Sequence, residues 1–397
     1  MLTGLDRLQL DPKLREICSG NIGYLCHSAS VNKNLRHGAD IMHNLFGSRL
    51  KALFGPQHGL NTDAQDNMIE SPHFEHPIYK IPVFSLYSET REPTPEMLSH
   101  IDTLVIDLQD VGVRVYTYIW TMVLAMKACA KAGKNVVILD RPNPLNGTRV
   151  EGNISKPEFS SFVGLHPLPM RHGMSIGEIA RFAVAHWDVN TKITVVETEG
   201  WDRTKGFEST GLPWVPPSPN LSSTDTLSVY PGFVLFEGTK LSEGRGTVRP
   251  FEIIGHPKIK HVSWQNHIQS ALDEANLNKF RVRPHTFVPT FEKWENTNCY
   301  GYQIHLHTPE NPVQKDTTGS WLAAQIVMKE LYNLMGDDFG WRPPPFEYEN
   351  DNMPIDILNG SDEPRKWIEG NGSLEEIRQI ESDGIESFLT QREKIIR

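Results

Sequence analysis

The chain has 397 residues, 38% of them hydrophobic and 22% charged, which supplies a packed core and excludes a disordered polymer. Its 39 basic against 49 acidic side chains leave a net charge of −10, so there is no basic stripe for a phosphate backbone and general nucleic-acid binding is excluded. No run approaches the roughly 18 consecutive apolar residues of a membrane span, and Met1 to Lys13 lacks an apolar signal core, so the sequence reads as soluble, unexported and cytoplasmic, with no membrane partner.

In chain order, short β-rich runs at Asn21 to Ser28, Leu50 to Phe54, Ile81 to Leu86, Thr103 to Leu108, Asn135 to Leu139 and Ile193 to Glu197 alternate with helical stretches. That alternation predicts βαβ units and a parallel sheet. Tyr118 to Ala132 repeats apolar residues at Ile119, Met122, Val123, Met126 and Ala130, the spacing of one helix face, with Gly133 where a C-cap belongs. Ser175 and Glu178 form a capping box before Ile179 to His186, which gives that glutamate a structural task. Leu212 to Ser223 holds Pro213, Pro216, Pro217 and Pro219 and is predicted to be a long loop.

From Pro257 the pattern changes to a helix over Ser263 to Leu277, strands over Phe280 to Phe291 and Tyr300 to His307, and a helix over Ser320 to Met335. An irregular, acidic, Pro-rich stretch and a final helix from Ser373 follow. The expectation is an α/β chain: a sheet domain over residues 1–256 and a smaller α+β domain over 257–397. Cys18, Cys26, Cys129 and Cys299 are scattered without a CxxC, which indicates buried thiols rather than a zinc knuckle or disulfide framework. No HExxH occurs among the 16 histidines, so the sequence requires no metal.

In open parallel sheets ligands bind beyond the carboxyl ends of the strands, so the residues following each run are the candidates. Gly55-Pro56-Gln57-His58-Gly59 projects an amide and an imidazole from one strand end. The stretch after Val105-Ile106 offers Asp107, Gln109, Asp110, Arg114, Tyr116 and Tyr118. It admits two readings: a structural Asp to Arg ion pair with tyrosines in the core, or a site, and the cost of burying so many polar groups favours the site. Asp140-Arg141-Pro142-Asn143-Pro144 and Glu151 come next, then Arg171-His172-Gly173. Phe236 to Glu252 carries Glu237, Glu243, Arg245 and Arg249 among several glycines, as suits an anion-handling loop. The absence of GxGxxG, GxxxxGK[ST] and GxSxG removes the main support for dinucleotide, P-loop and α/β-hydrolase chemistry. Several carboxylates, guanidiniums and aromatics remain, which is what a glycosidase needs.

A family resemblance rests on Gly55-Pro56-x-His58-Gly59, Ser85-Leu86-Tyr87, Asp107-x-Gln109-Asp110-Val111-Gly112-x-Arg114-x-Tyr116-Thr117-Tyr118 and Leu139-Asp140-Arg141-Pro142-Asn143-Pro144. It continues through Ser161-Phe162-Val163-Gly164, Arg171-His172-Gly173, Trp214-x-Pro216-Pro217-Ser218-Pro219-Asn220, Tyr230-Pro231-Gly232 and Glu237-Gly238-Thr239-x-Leu241-Ser242-Glu243-Gly244-Arg245-Gly246-Thr247. These resemble the NamZ-type exo-β-N-acetylmuramidases, long labelled a domain of unknown function, over Gly23 to His307. The resemblance implies a Rossmann-like amino-terminal domain, a smaller carboxy-terminal domain closing the cleft, no cofactor, and release of N-acetylmuramic acid or a related amino sugar from non-reducing ends of peptidoglycan fragments during cell-wall recycling. The lactyl carboxylate of that sugar suits a planar bidentate cation, with Arg114, Arg171, Arg245 and Arg249 as candidates.

One departure stands out. The family motif reads Gly-Pro-Glu-His-Gly followed by Arg-Gly, whereas here Gln57 replaces the acid and Leu60-Asn61 follow Gly59. An amide does no proton transfer. His58, Asp107, Asp110 and Glu243 are expected nearest the chemistry. Gln57, Gln109, Arg114, Tyr116, Tyr118, Arg141, Asn143, Glu151, Arg171, His172, Asn220, Glu237, Arg245 and Arg249 are expected to hold an amino-sugar glycan. Asp107, Gln109, Arg114, His58, Glu237 and Glu243 are expected to meet in one cleft. The alternatives are a glycan-binding or regulatory homologue without turnover, and a metal-assisted hydrolase using His58, Asp107 and His172.

Overall fold

All four residues of strand β1 (Ile22–Leu25) and of β5 (Thr103–Ile106) are buried, as apolar runs must be at the centre of a parallel sheet covered on both faces. In the computed structural model, which describes residues 1–65, 68–307 and 318–396, they pair with each other. Around them lie β2 (Leu50–Gly55), β3 (Phe74–Glu75), β4 (Pro82–Ser85), β6 (Asn135–Leu139) and β9 (Ile193–Val196). The sheet runs β3-β4-β2-β1-β5-β6-β9, parallel except for the edge pair β3-β4. Without that edge strand this is the doubly wound Rossmann order, whose direction of winding switches between β1 and β5.

Alternation along each strand divides the core. Val105 packs with Leu5, Ile41 and Met42 on one face, while Leu104 and Ile106 pack with Ile119, Met122 and Met126 on the other. The helix Tyr118–Ala132 ends at Gly133, which adopts φ 65° as a left-handed C-cap. Ser175 and Glu178 form the expected capping box of Ile176–His186, and Glu178 also accepts from Arg203 Nη1 at 2.9 Å. Residues 211–223 contain neither helix nor strand.

A hairpin of β7 (Glu151–Ile154) and β8 (Pro169–Arg171) lies outside the main sheet, in segments where no strand is predicted. A second sheet joins β10 (Ile253–His256), β12 (Cys299–Leu306) and β11 (Phe280–Phe287) in the order β10-β12-β11. β10 thus precedes residue 257 yet pairs with strands that follow it. Strand β11 stops at Phe287, short of the expected Phe291, and the helix expected at Ser263 to Leu277 spans His261–Glu274. Ser320–Met335 is helical as expected. The Pro-rich acidic stretch is more ordered than its composition suggested, with helices at Pro354–Asn359 and Glu363–Glu369. The expected single final helix is two, Leu374–Ser382 and Ile385–Glu393, broken at Gly384. The four cysteines are buried and free, and among the described residues no helix is long and apolar enough to cross a membrane.

Candidate active site

The crevice at the β1/β5 switch is filled by side chains of the chain itself. Asp107, at the end of β5, is fully buried; its Oδ1 accepts from Arg141 Nε at 2.5 Å, and its Oδ2 accepts from Arg141 Nη2 at 3.0 Å and from the Tyr24 hydroxyl at 2.5 Å. Arg141 continues to the carbonyl of Val31 at 3.0 Å. Asp107 and Arg141, expected at the chemistry and the substrate, are therefore each other's partners. Gln109 donates to the carbonyls of Asp110 and Pro142 at 2.8 and 3.1 Å. Gln109 and Arg141 line a small separate recess under Trp214 of the Pro-rich loop.

The neighbouring residues hold the backbone together. Arg114 is wholly buried and donates to four carbonyls, those of Asn153 (2.8 Å), Leu168 (2.6 Å), Leu358 (2.9 Å) and Asn359 (2.8 Å). It clamps the β7/β8 hairpin to the helix Pro354–Asn359 rather than waiting for a sugar carboxylate. Asp110 Oδ2 accepts from Gly112 N at 2.7 Å and stands 3.3 Å from His172 Nε2. Gly112 has φ 79°, and a Cβ there would meet Asn143 Oδ1 at 2.4 Å, so this turn needs glycine. Asn143 in turn donates to Met174 O at 3.0 Å. Glu151 Oε2 accepts from Gly319 N, and Arg171 Nη2 donates to Leu145 O at 2.6 Å.

The pocket lies to one side of this cluster, beyond the end of β2. It is enclosed by Gln57 and His58, by Val115 to Thr117 at the mouth of the helix Tyr118–Ala132, by Val163, by Ser218, Asn220 and Leu221 of the Pro-rich loop, by Tyr230, Val234, Glu237, Arg245 and Phe251, and by Phe346, Glu347 and Leu358. Gln57 is clamped on both ends: Thr117 Oγ1 donates to its Oε1 at 2.6 Å, and its Nε2 donates to Glu347 Oε1 at 3.4 Å. Glu347 Oε2 accepts from the Tyr87 hydroxyl at 2.9 Å. Burial pushes the Glu347 carboxyl up from its ordinary value; the Tyr87 and Gln57 hydrogen bonds oppose that push and the charge of Glu237 reinforces it.

Two further carboxylates are ion-paired. Glu237 Oε1 meets Arg245 Nη2 at 2.7 Å on the pocket wall. Glu243 lies behind it, 2.7 Å from Lys293 Nζ and 3.4 Å from Arg245 Nε. Burial alone would raise its pKa, but Lys293 and Arg245 outweigh burial and hold Glu243 below the ordinary carboxylate value. His58 adopts φ 69° and its Nδ1 sits 2.7 Å from the carbonyl of Ala64, which assigns the proton to Nδ1. Burial, assisted by Arg245, lowers its pKa to about 4, so the ring is neutral at pH 7. Tyr116 packs edge-on to Tyr230 with centroids 6.4 Å apart, and Asn220 donates to Gln65 O at 2.8 Å.

Of the residues expected at the site, Gln57, His58, Tyr116, Asn220, Glu237 and Arg245 line this pocket. Asp107, Asp110, Gln109, Arg114, Arg141, Asn143, Glu151, Arg171, His172 and Glu243 do not, for the bonding reasons given, so the six-residue convergence reduces to His58 and Glu237. Tyr118 supports it from behind, donating to Pro217 O at 2.6 Å and Gln57 O at 3.3 Å. Arg249 is on the surface, 2.8 Å from Glu252. Glu347 lies outside the reach of the strand-end rule, whereas Tyr87 directly follows the run Ile81 to Leu86. Tyr87 enters only through the Ser85-Leu86-Tyr87 motif although it stands at a strand end, and the one local signal for Glu347 is its place between Phe346 and Tyr348. Among the described residues no three His, Cys, Asp or Glu side chains gather as metal ligands, and His58, Asp107 and His172 each have other partners.

This architecture matches known proteins over its whole length. Residues 22–225 match the family model described as exo-beta-N-acetylmuramidase NamZ, N-terminal, and residues 228–397 match its C-terminal counterpart. The peptidoglycan beta-N-acetylmuramidase NamZ of Bacillus subtilis (strain 168) is 38% identical over 394 residues, covering 99% of this chain and 90% of that protein. Two crystal structures of DUF1343 family proteins from Bacteroides fragilis NCTC 9343 superpose with TM-scores of 0.84 and 0.74 at 28% and 27% identity, each covering 100% of this chain and 98% of the other. The chain belongs to the exo-β-N-acetylmuramidase NamZ family.

Proposed function

We propose that this chain is an exo-acting glycoside hydrolase that releases N-acetylmuramic acid from the non-reducing end of peptidoglycan fragments. Family membership supports the substrate class, and one observation supports turnover: two carboxyl side chains in contrasting surroundings, Glu237 paired with Arg245 and Glu347 with uncharged partners, line one enclosed pocket. Glycoside hydrolysis needs such a pair, one group to protonate the leaving oxygen and one to support the positive charge developing on the sugar. The cavity itself measures about 40 Å³, room for a few waters, so the exo-acting reading rests on family membership and requires the wall to open around a terminal sugar. Of the four arginines expected to meet the lactyl carboxylate, Arg245 lines the pocket. Residues 257–397 act as the closing domain, contributing Phe346, Glu347 and Leu358 to the wall.

The test is release of a chromophore from aryl β-N-acetylmuramide and aryl β-N-acetylglucosaminide, each with and without chelator. Release from the muramide that survives chelation is the expected result. Release abolished by chelator would make this a metal-assisted hydrolase, and binding of N-acetylmuramic acid without release would make it a glycan-binding protein.

A further inference from the structure

Proton delivery to the leaving oxygen is the one task that position 57 cannot perform in this chain, because a carboxamide has no proton to give near neutral pH. We propose that Glu347 is the proton donor of the hydrolysis, with Gln57 and Tyr87 as its positioning residues. This rests on the reading that the chain cleaves a glycoside at the pocket described above.

Three observations carry it. Glu347 stands on the wall between two spaces: it lines the enclosed pocket, and it also lines an open groove with Arg91, Phe162 and Tyr348. A glycan lying in the groove, with the pocket wall opened to admit its terminal sugar, crosses that wall at the scissile bond. Second, the partners of Glu347 are a phenol and an amide, and among the described residues no cation pairs with it, in contrast to Glu237 and Glu243. Arg91, whose charge acts on Glu347, is held between the rings of Tyr87 and Tyr348, 4.2 and 4.1 Å from their centroids. Third, Glu347 and Tyr348 adopt φ 47° and 67°, a left-handed conformation uncommon for residues other than glycine. Reciprocal backbone hydrogen bonds between Phe346 and Glu349 at 2.9 Å keep them there. Such geometry persists where the surroundings enforce it and concentrates at functional sites.

In the step itself, the Glu347 carboxyl proton passes to the glycosidic oxygen as the bond from that oxygen to the sugar's anomeric carbon breaks, its electron pair staying on oxygen. Water supplies the oxygen that bonds to the anomeric carbon, and the proton that water loses passes, through solvent, to the Glu347 carboxylate and restores the donor. The donor must hold its proton at working pH. Burial and Glu237 favour the neutral carboxyl, whereas Tyr87, Gln57 and Arg91 favour the anion; Tyr230, His58 and Arg245 share the pocket with it, and Tyr348, Glu70, Glu89 and Glu349 share the groove. Burial prevails, so the carboxyl keeps its proton to a higher pH than an exposed glutamate.

The experiment compares two substrates on Glu347→Gln: the disaccharide of N-acetylmuramic acid and N-acetylglucosamine, whose leaving alcohol needs a proton, and 2,4-dinitrophenyl β-N-acetylmuramide, whose phenolate leaves without one. Loss of a general acid is expected to cost about 10²–10⁴-fold in kcat on the disaccharide and less than about tenfold on the dinitrophenyl glycoside, with the alkaline limb of the pH profile abolished. Equal losses on both substrates, or no loss, would overturn the assignment. If Glu347→Gln does not fold, Glu347→Asp carries the same comparison, again with the larger loss expected on the disaccharide. Gln57→Glu is expected to lower disaccharide turnover, because it removes the amide donor and sets a second carboxyl against Glu347; a rise would return the proton to position 57. Wild-type protein inert toward both substrates would sink the functional reading, whereas active wild type with an unaffected Glu347→Gln would sink this inference alone.

Discussion

Two buried carboxyl groups, Asp107 at the switch point and Glu347 in the pocket, are both almost wholly removed from water, at 0% and 4% exposure. Each accepts a tyrosine hydroxyl, Asp107 from Tyr24 and Glu347 from Tyr87. They differ in the second partner, which is the Arg141 guanidinium for Asp107 and the Gln57 amide for Glu347. Burying a carboxylate is expensive, and a protein has two remedies. It can supply an opposite charge, which makes the group a strut between strands, or it can let the group keep its proton, which makes it a source of acid. The same residue chemistry within one molecule thus yields a structural pair in one place and a titratable group in the other.

The comparison breaks most visibly at Arg141. Arg141→Met leaves Asp107 buried without a counter-charge, and removing one partner of a buried ion pair costs about 3–5 kcal/mol. The urea midpoint is expected to fall accordingly, and the double variant Arg141→Met with Asp107→Leu is expected to recover much of the loss, since no buried charge then remains uncompensated. If Arg141→Met unfolds at the wild-type urea concentration, Asp107 is not the strut described here.

Tyr87 tests the other half. Its hydroxyl donates to Glu347 and favours the anion, so Tyr87→Phe is expected to raise the Glu347 pKa further. A net hydrogen bond of about 0.5–1.5 kcal/mol corresponds to a shift of up to about one pH unit. For a proton donor the sign is fixed: activity persists below the pKa and is lost as pH rises through it. The alkaline limb of kcat should therefore move upward in Tyr87→Phe. A downward shift would mean that the phenol stabilises the neutral acid instead.

These two sites also mark what the sequence could disclose. Six of the seven main-sheet strands were legible, the central ones because strands buried on both faces must be continuous apolar runs, as Ile22–Leu25 and Thr103–Ile106 are, whereas the short exposed edge strand Phe74–Glu75 carries no such run. The helix from Tyr118 was legible from its period and its C-terminal glycine. Glu151–Ile154 was not, because Glu-Gly-Asn-Ile carries no strand pattern, and its backbone is held by Arg114 through the carbonyl of Asn153. At the site, the strand-end rule found Gln57 and His58, which lie on the loop directly after β2. It also selected Asp107, whose partner Arg141 follows the adjacent strand two residues beyond the position level with Asp107, a contact across neighbouring strand ends that sequence spacing does not display. Glu347 had no strand before it and meets Gln57 across 290 residues of chain, so only the tertiary fold brings the acid to the amide.

The smallest expected effect belongs to Arg249, which the sequence offered as a carboxylate clamp on equal terms with Arg245. The two guanidiniums differ in access to water: Arg245 is nearly buried against Glu237, whereas Arg249 is 47% exposed and pairs with Glu252 three residues along the chain. Water and salt compete with an exposed pair, so Arg249→Ala is expected to cost only about 0–1 kcal/mol of stability, and less at high ionic strength. Glu252 is not orphaned by the change, because it still accepts the Thr226 hydroxyl at 2.7 Å. The KM for a muramide should stay within about twofold of wild type, since a rim charge outside the pocket contributes little to the affinity of a ligand it does not touch. A tenfold rise in KM would place Arg249 on the glycan's path and extend the binding surface from the pocket to the opposite side of Glu252.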